Sequence, residues 1–577
     1  MTTTQETGER IARPMASGPD GPEYLVQLTK TSRTDPVFLQ YEPAHVLPVV
    51  FVPGIMGSNL RDKSKERETV WRLDNSPLGP PVGLLINKMG ENAAKRQKVL
   101  HPARTQVDER GAVPKKSHGS VDNPKIYTER GWGEVGEGSY HAFLCLLEDT
   151  LNGPRKGNGD GPTVGQKYEE LQKKRPPGGE RDAPWRPIKD APPPTEEEIK
   201  RTGDWLMPVY ACGYNWLDDN SVSAERLAAR IQEIIKRHHD GVNSFCQQVI
   251  VVTHSMGGMV ARACAKLPDM DILIAGVVHG VMPTNGAAVA YRRCKVGMAD
   301  EDWLTSWVIG HSGKETTAVF AQAPGALQLL PTQHYSPGWL EVKGPDGKTV
   351  EQALPQQNPY SEIYARRDRW WALVKEEWLS PKDGQPIEWG DYVETYLDSA
   401  VNFHQTLSPR TDYHANTYVF YGADTADETI KKTRINSFER IVWRMKEGIQ
   451  PAQRDELSQP PAQTPPPGTP QEVFSMTPQQ VDLRGLTPEH VKGEGYGAGF
   501  WELHAGGHDG TGDGTVPASS GRAPADCDRV QQVFRISGVE HEAAYRHATA
   551  QQVTVYSLIK IAAQALPIKA STREIAQ

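Results

Sequence analysis

The segment from Gln248 to Met259, Q-V-I-V-V-T-H-S-M-G-G-M, constrains this chain more than any other stretch. A nearly continuous apolar run suits a strand covered on both faces, which belongs in a parallel sheet flanked by helices. The run ends in a tight turn holding a serine, and small residues follow where a helix opens. That is the geometry of a nucleophile elbow, in which a strained turn lifts the serine oxygen clear of the C-terminal edge of the sheet. Small neighbours are required because strand and helix approach closely there. Gly257 matches the second glycine of G-x-S-x-G, but Thr253 replaces the first, and a β-branched residue crowds the turn more than glycine does. Taken alone, these residues leave open an ordinary strand-to-helix turn with a passive serine.

A second apolar strand running into a glycine turn, V-V-F-V-P-G-I-M-G-S-N-L at Val49 to Leu60, stands well upstream of the elbow. Such a turn can bring a backbone amide to the place where charge develops on a carbonyl oxygen under attack. The amides of Ile55 and Met256 are the candidate oxyanion donors. A phosphate-cradling loop is the competing reading, but this turn carries neither G-x-x-x-x-G-K-[ST] nor G-x-G-x-x-G.

An elbow serine needs a base and an acid to orient it, in the order Ser, Asp, His along the chain. Gly510 to Pro517, G-T-G-D-G-T-V-P, offers Asp513, with Asp509 and Asp424 as competitors. Ile536 to Tyr545, I-S-G-V-E-H-E-A-A-Y, offers His541 between a strand and a helix start. Each is weak alone, since Asp-Gly pairs are usually just turns. Their order after Ser255 joins them into one candidate set. A metal reading through His504, His508 and Asp509 is disfavoured, because H-x-x-x-H binds zinc best on a helix and Ala-Gly-Gly separates the two histidines. No metal or cofactor is expected.

The rest of the chain supports an α/β architecture. Short apolar runs at Leu47 to Pro53, Leu206 to Ala211, Val249 to Thr253, Leu273 to Val278 and Thr417 to Tyr421 read as buried parallel strands, and a sixth lies at Gln532 to Ile536. Ser223 to His238, with Leu227, Ile231, Ile234 and Ile235 on one face, reads as a crossover helix, and Met259 to Lys266 begins another. At 577 residues, with 53 glycines and 46 prolines, the chain can hold a large core interrupted by long irregular segments. The expected divisions are an N-terminal extension (1–44), a core (45–290) carrying a polar, loop-rich insertion (61–202), and a tryptophan-rich helical cap (291–415). A core return (416–440), a proline-rich insertion (441–498) and a C-terminal core segment (499–577) follow. Seven of the 14 tryptophans fall between positions 303 and 389; within the cap, the Trp303/Trp307 and Trp371/Trp378 spacings fit packing on one helix face, with lipid contact as the alternative.

Net charge is −8, which argues against nucleic acid as a partner. The start of the chain shows no apolar core of a Sec signal, and no apolar run approaches 18 residues. The six cysteines show no C-x-x-C spacing and read as reduced thiols in a protein made in the cytoplasm.

Together, V-P-G-I-M-G-S, C-G-Y-N-W at 212–216, T-H-S-M-G-G, P-G-A-L-Q-L-L-P at 324–331 and G-D-G-T-V-P resemble the lipase and acyltransferase branch of the α/β-hydrolases. V-V-H-G-V-M-P-T-N-G-A at 277–287, the late proline-rich insertion and G-V-E-H-E-A are similar to the lipase effectors of bacterial type VI secretion, in particular their third subfamily. The resemblance implies an α/β-hydrolase fold with a mostly parallel sheet, large insertions and a helical cap. It further implies an antibacterial phospholipase that acts by Ser255, His541 and Asp513 on carboxylic esters of a target cell's membrane, delivered into the periplasm without a Sec signal. A cognate immunity protein and a secretion spike or adaptor would be its partners. An acyltransferase or housekeeping esterase of the same fold, or a non-catalytic binding module, are the rival readings.

Overall fold

The computed structural model describes most of residues 44–565, without 65–67, 75–91, 120, 122, 153–163, 174–185, 242–243, 299–308, 311, 350–351, 368, 370, 424–435, 448–473 and 477–500. It also describes the backbone of strands Ile11–Gly18, Gly21–Leu25 and Gln40–Tyr41. The central sheet has seven strands: β1 (Val49–Val52), β2 (Arg186–Pro187), β3 (Val209–Ala211), β4 (Val249–His254), β5 (Ile274–Gly280), β6 (Thr417–Gly422) and β7 (Val530–Ile536). Their spatial order is β3-β1-β4-β5-β6-β7-β2. All neighbours are parallel except the short edge strand β2, which runs against β7. All six apolar runs of the sequence therefore lie in one sheet.

Pleating divides each buried strand between two cores. Val50, Val52 and Val251 face one side, where they join Leu227, Ile231 and Ile234 of helix α2 (Asn220–Arg237); Phe51, Ile250 and Val252 face the other. There they meet Phe143, Leu144 and Leu147 of α1 (Ala142–Leu151) and Val553, Leu558 and Ile561 of α7 (Ala548–Gln564). Burial on both faces explains why the strands lack alternation. Helix α2 starts three residues earlier than its apolar periodicity suggests, because the Asp219 carboxylate accepts from the Ser221 amide and caps it. Helix α3 (Gly257–Cys264) follows the elbow directly.

The 61–202 insertion corrects the expectation of a loop-rich segment. Strands Leu60–Asp62, Thr69–Trp71 and Thr105–Val107 form a small antiparallel sheet, and helices Ala142–Leu151, Val164–Lys173 and Glu196–Gly203 pack on the core. Their apolar faces are short and separated by long polar stretches, which masks the helical period. The Ala-Pro-Pro-Pro stretch leads into Thr195, which caps the last of these helices reciprocally with Glu198.

The 291–415 segment includes α5 (Gly313–Phe320) and α6 (Asp398–Thr406), with α4 (Ala288–Val296) leading into it. Trp339, Trp371 and Trp378 are buried in the same core as the α2 face of the sheet. Packing thus accounts for them. Trp303, Trp307 and the proline-rich 451–471 stretch lie outside the described residues. Ile441–Glu447 pairs with Leu340–Lys343 on one side and with Trp501–Ala505 on the other, joining segments distant in sequence. Among the described residues no helix is long and apolar enough to cross a membrane, and all six cysteines are free.

Candidate active site

Ser255 stands directly after β4 with φ +51°, a left-handed conformation that costs a non-glycine residue about 1–3 kcal/mol. Its amide donates to the Gly280 carbonyl at 2.9 Å, so the end of β5 holds the turn. The two glycines that follow are sterically required. A Cβ on Gly257 would lie 2.4 Å from the Pro53 carbonyl oxygen, and one on Gly258 would lie 2.6 Å from Met282 Sδ. Thr253, where the sequence departs from G-x-S-x-G, fits because it is still strand. Its hydroxyl lies 2.9 Å from His279 Nδ1 and its carbonyl accepts from the Tyr545 hydroxyl at 2.7 Å.

His541 follows β7 and places Nε2 2.8 Å from Ser255 Oγ. Its Nδ1 lies 2.8 Å from Asp513 Oδ2, and its backbone amide donates to the Asp513 carbonyl, also at 2.8 Å. The second carboxylate oxygen of Asp513 accepts from the amides of Thr515 at 3.0 Å and Val516 at 2.7 Å. These bonds leave the acid one rotameric choice. Asp513 lies against the end of β6, where a Cβ on Gly422 would approach Asp513 Cβ to 2.7 Å. Three residues from different parts of the chain thus form one line of hydrogen bonds from carboxylate to hydroxyl.

The competitors are engaged elsewhere or undescribed. Asp509 accepts from the amides of Glu439 and Arg440 and from the Arg440 guanidinium. Asp424 lies outside the described residues. His547 opens α7, where its carbonyl accepts from the Gln551 amide. The His508 ring packs on Phe438 at 4.4 Å between centroids, and the His504 side chain lies outside the described residues. Among the described residues no group of three His, Cys, Asp or Glu is disposed to hold a metal ion.

The amides of Ile55 and Met256 have no hydrogen-bond partner among the described residues, which leaves both open to a ligand. Met56 takes φ +61°, and the loop around Ile55 is held from several sides. Trp71 Nε1 donates to the Met56 carbonyl at 2.6 Å, the Tyr214 hydroxyl to the Pro53 carbonyl at 2.9 Å, and the Gly54 amide to the Tyr140 hydroxyl at 3.2 Å. Trp71 and Tyr140 come from the insertion. Neither carried a signal in the sequence, because each acts through a fold contact with no local pattern.

Ser255 opens into a cavity of about 680 Å³, lined by Ile55, Met56, Trp71, Leu73, Leu329 and Phe438 among others. This volume and its largely apolar wall suit a chain-bearing ligand. A smaller cavity of about 290 Å³ between Tyr360, Asp398 and His404 includes none of the line from Asp513 to Ser255.

A chain in the solved complex of Tle4 with Tli4 shares this architecture with a TM-score of 0.67 at 29% identity, over 90% of this chain and 99% of that one. The chain has an α/β-hydrolase fold and is similar to a type VI lipase effector. The family description of a PGAP1-like alpha/beta domain matches residues 215–295 of the hydrolase, which include β4, the elbow and β5. No protein of curated function matches it. The sequence motifs point to the third subfamily of these effectors, whereas the solved relative is named Tle4.

Proposed function

We propose that this hydrolase cleaves carboxylic ester bonds of membrane phospholipids with a Ser255, His541, Asp513 triad. The observation that carries the reading is the line of 2.8 Å contacts from Asp513 through His541 to Ser255, opening into a cavity of about 680 Å³ with a largely apolar wall. His541 Nε2 accepts the Ser255 proton as Oγ attacks the ester carbonyl, while Asp513 keeps the proton on Nδ1 and stabilises the imidazolium that forms. The Ile55 and Met256 amides donate to the oxyanion of the tetrahedral intermediate. His541 then protonates the leaving alcohol, and water, deprotonated by His541, cleaves the acyl-enzyme. No cofactor or metal enters these steps.

As an effector it would be carried by a type VI spike or adaptor into the periplasm of a target bacterium, where the outer face of the inner membrane is within reach. The Tle4 relative was solved bound to a second protein, Tli4, and that complex supports a cognate immunity partner for this chain too.

The direct test is incubation with defined diacyl phospholipids followed by identification of the products. Free fatty acid and lysophospholipid from the wild type, with none from folded Ser255→Ala, is the expected result. Transfer of the acyl group to an alcohol acceptor without net hydrolysis would replace the reading with an acyltransferase. Retention of more than about a tenth of the activity by Ser255→Ala would remove Ser255 as nucleophile.

A further inference from the structure

Tyr140 reaches the elbow from a segment without a recognisable motif. It lies in the helical turn Glu137–His141 that leads into α1, and it is 3% exposed. Its hydroxyl oxygen accepts from the Gly54 amide at 3.2 Å and lies 3.0 Å from His254 Nδ1. The other ring nitrogen of His254, Nε2, is 2.8 Å from the His541 carbonyl oxygen.

These contacts define a direction. A carbonyl oxygen only accepts, so His254 Nε2 carries the proton and Nδ1 accepts from Tyr140. The Gly54 N–H is thus matched to Tyr140, the Tyr140 O–H to His254, and the His254 N–H to the His541 carbonyl. Such a run requires a neutral ring and a protonated phenol. Burial, aided by the neighbouring His541, pushes the His254 pKa down to about 3, and burial holds the Tyr140 phenol well above its ordinary value.

The glycines of V-P-G-I-M-G-S are shaped to this side chain. A Cβ on Gly57 would meet the Tyr140 hydroxyl oxygen at 2.5 Å, and one on Gly54 would meet His254 Nδ1 at 2.8 Å. Each anchored group neighbours a reacting one. Gly54 precedes Ile55, His254 precedes Ser255, and His541 is the base itself. The run therefore ties the oxyanion loop, the nucleophile strand and the base loop together across the sheet edge.

We propose that Tyr140 is a positioning residue for ester hydrolysis, acting through His254 to hold the Ile55 amide and the His541 loop in register around Ser255. This role rests on the serine-hydrolase reading above. It gives the insertion a part in catalysis without contact with substrate. Losing one oxyanion donor costs about 10² to 10³ in kcat, and a displaced donor costs part of that.

The test compares wild type, Tyr140→Phe, His254→Gln and the double variant on a soluble short-chain ester, with active sites counted by a fluorophosphonate probe. Tyr140→Phe should lose about 10- to 100-fold in kcat per counted site with KM within about twofold. Affinity for a trifluoromethyl ketone, which forms a tetrahedral adduct with the serine, should fall in parallel with kcat. The double variant should lose no more than the worse single one, because both residues belong to one run. A kcat per counted site within about twofold of wild type, a loss confined to KM, or multiplicative losses in the double variant would each overturn the role. If Tyr140→Phe does not fold, the His254→Gln measurements decide by the same criteria, and failure of both to fold assigns Tyr140 to structure alone. A wild type that the probe does not label defeats the serine-hydrolase reading instead.

Discussion

Replacing Asp513 by asparagine should disable the hydrolase through the tautomer of His541, and the structure dictates how. One carboxylate oxygen of Asp513 accepts from two backbone amides, Thr515 and Val516, while the other meets His541 Nδ1 at 2.8 Å. An asparagine keeps both amides satisfied only by placing its carbonyl oxygen toward them. Its NH2 group then faces Nδ1 and donates to it, which forces the imidazole proton onto Nε2, where the Ser255 proton must be received. The flipped amide would restore the working tautomer but leave two buried N–H donors facing an NH2 group. At roughly 1–3 kcal/mol for each unsatisfied donor, the flipped state is about 2–6 kcal/mol higher, a population of about 3 × 10⁻² to 4 × 10⁻⁵. Loss of the carboxylate charge opposite the imidazolium adds to this, so kcat should fall by about 10³ to 10⁴, the scale seen for this substitution in a serine protease. The assay is hydrolysis of a soluble short-chain ester near neutral pH, with circular dichroism to establish folding. Asp509→Asn is the control, because its carboxylate serves the Glu439 and Arg440 amides and should affect stability more than chemistry. A folded Asp513→Asn protein with more than about a tenth of wild-type kcat, or a larger kcat loss in Asp509→Asn, would refute the reasoning.

His541→Ala should abolish ester hydrolysis while His547→Ala retains appreciable activity, as steady-state kinetics of the two purified variants would reveal. Acid should destabilise the fold through its buried histidines. His238, held near pKa 3 by burial and by Arg130 and Arg237, stays neutral in the folded state while its unfolded form protonates below about 6.5, so stability falls as pH drops from there toward 3. His238→Gln should therefore lower the slope of unfolding free energy against pH by about 1.4 kcal/mol per pH unit near pH 5, measured by denaturant titration at several pH values; an unchanged slope contradicts a neutral buried His238. In a sensitive bacterium, the protein fused to an export signal should inhibit growth, whereas the unfused form and exported Ser255→Ala should not. Equal toxicity of exported wild type and Ser255→Ala would point to membrane damage other than ester cleavage.

How much could be read without the fold follows the range of each interaction. The elbow was legible because strand, turn and helix are contiguous, and the glycines at 257 and 258 answer to close approach at that one corner. The first five apolar runs were legible as strands because a strand buried on both faces must be apolar throughout, whereas β7 carries an exposed Gln531 and a half-buried Arg535. By contrast, the helices of the 61–202 insertion carry brief apolar faces such as Phe143, Leu144 and Leu147 within a polar stretch, too short for a period to stand out. Within the cap, the spacing of Trp371 and Trp378 suggested one helix face, but Trp371 lies in a turn ahead of the four-residue helix Glu376–Leu379, and the two rings share a core without sharing a helix.

By itself, then, the sequence determined an α/β sheet, an elbow serine, a glycine turn able to offer an amide, and a set of acids and histidines in a workable order. It put Asp513 ahead of Asp509 and Asp424, although Asp513 and Asp509 stand in glycine-rich turns a few residues apart. What only the tertiary structure supplies is the contact itself, the Asp513 carboxylate meeting His541 while Asp509 is directed to Arg440. The same holds for Tyr140, 114 positions from His254 along the chain yet bonded to its ring. Apolar periodicity reports what a residue's own element must bury, whereas a hydrogen bond between distant loops depends on how separate elements pack, and no local pattern encodes that.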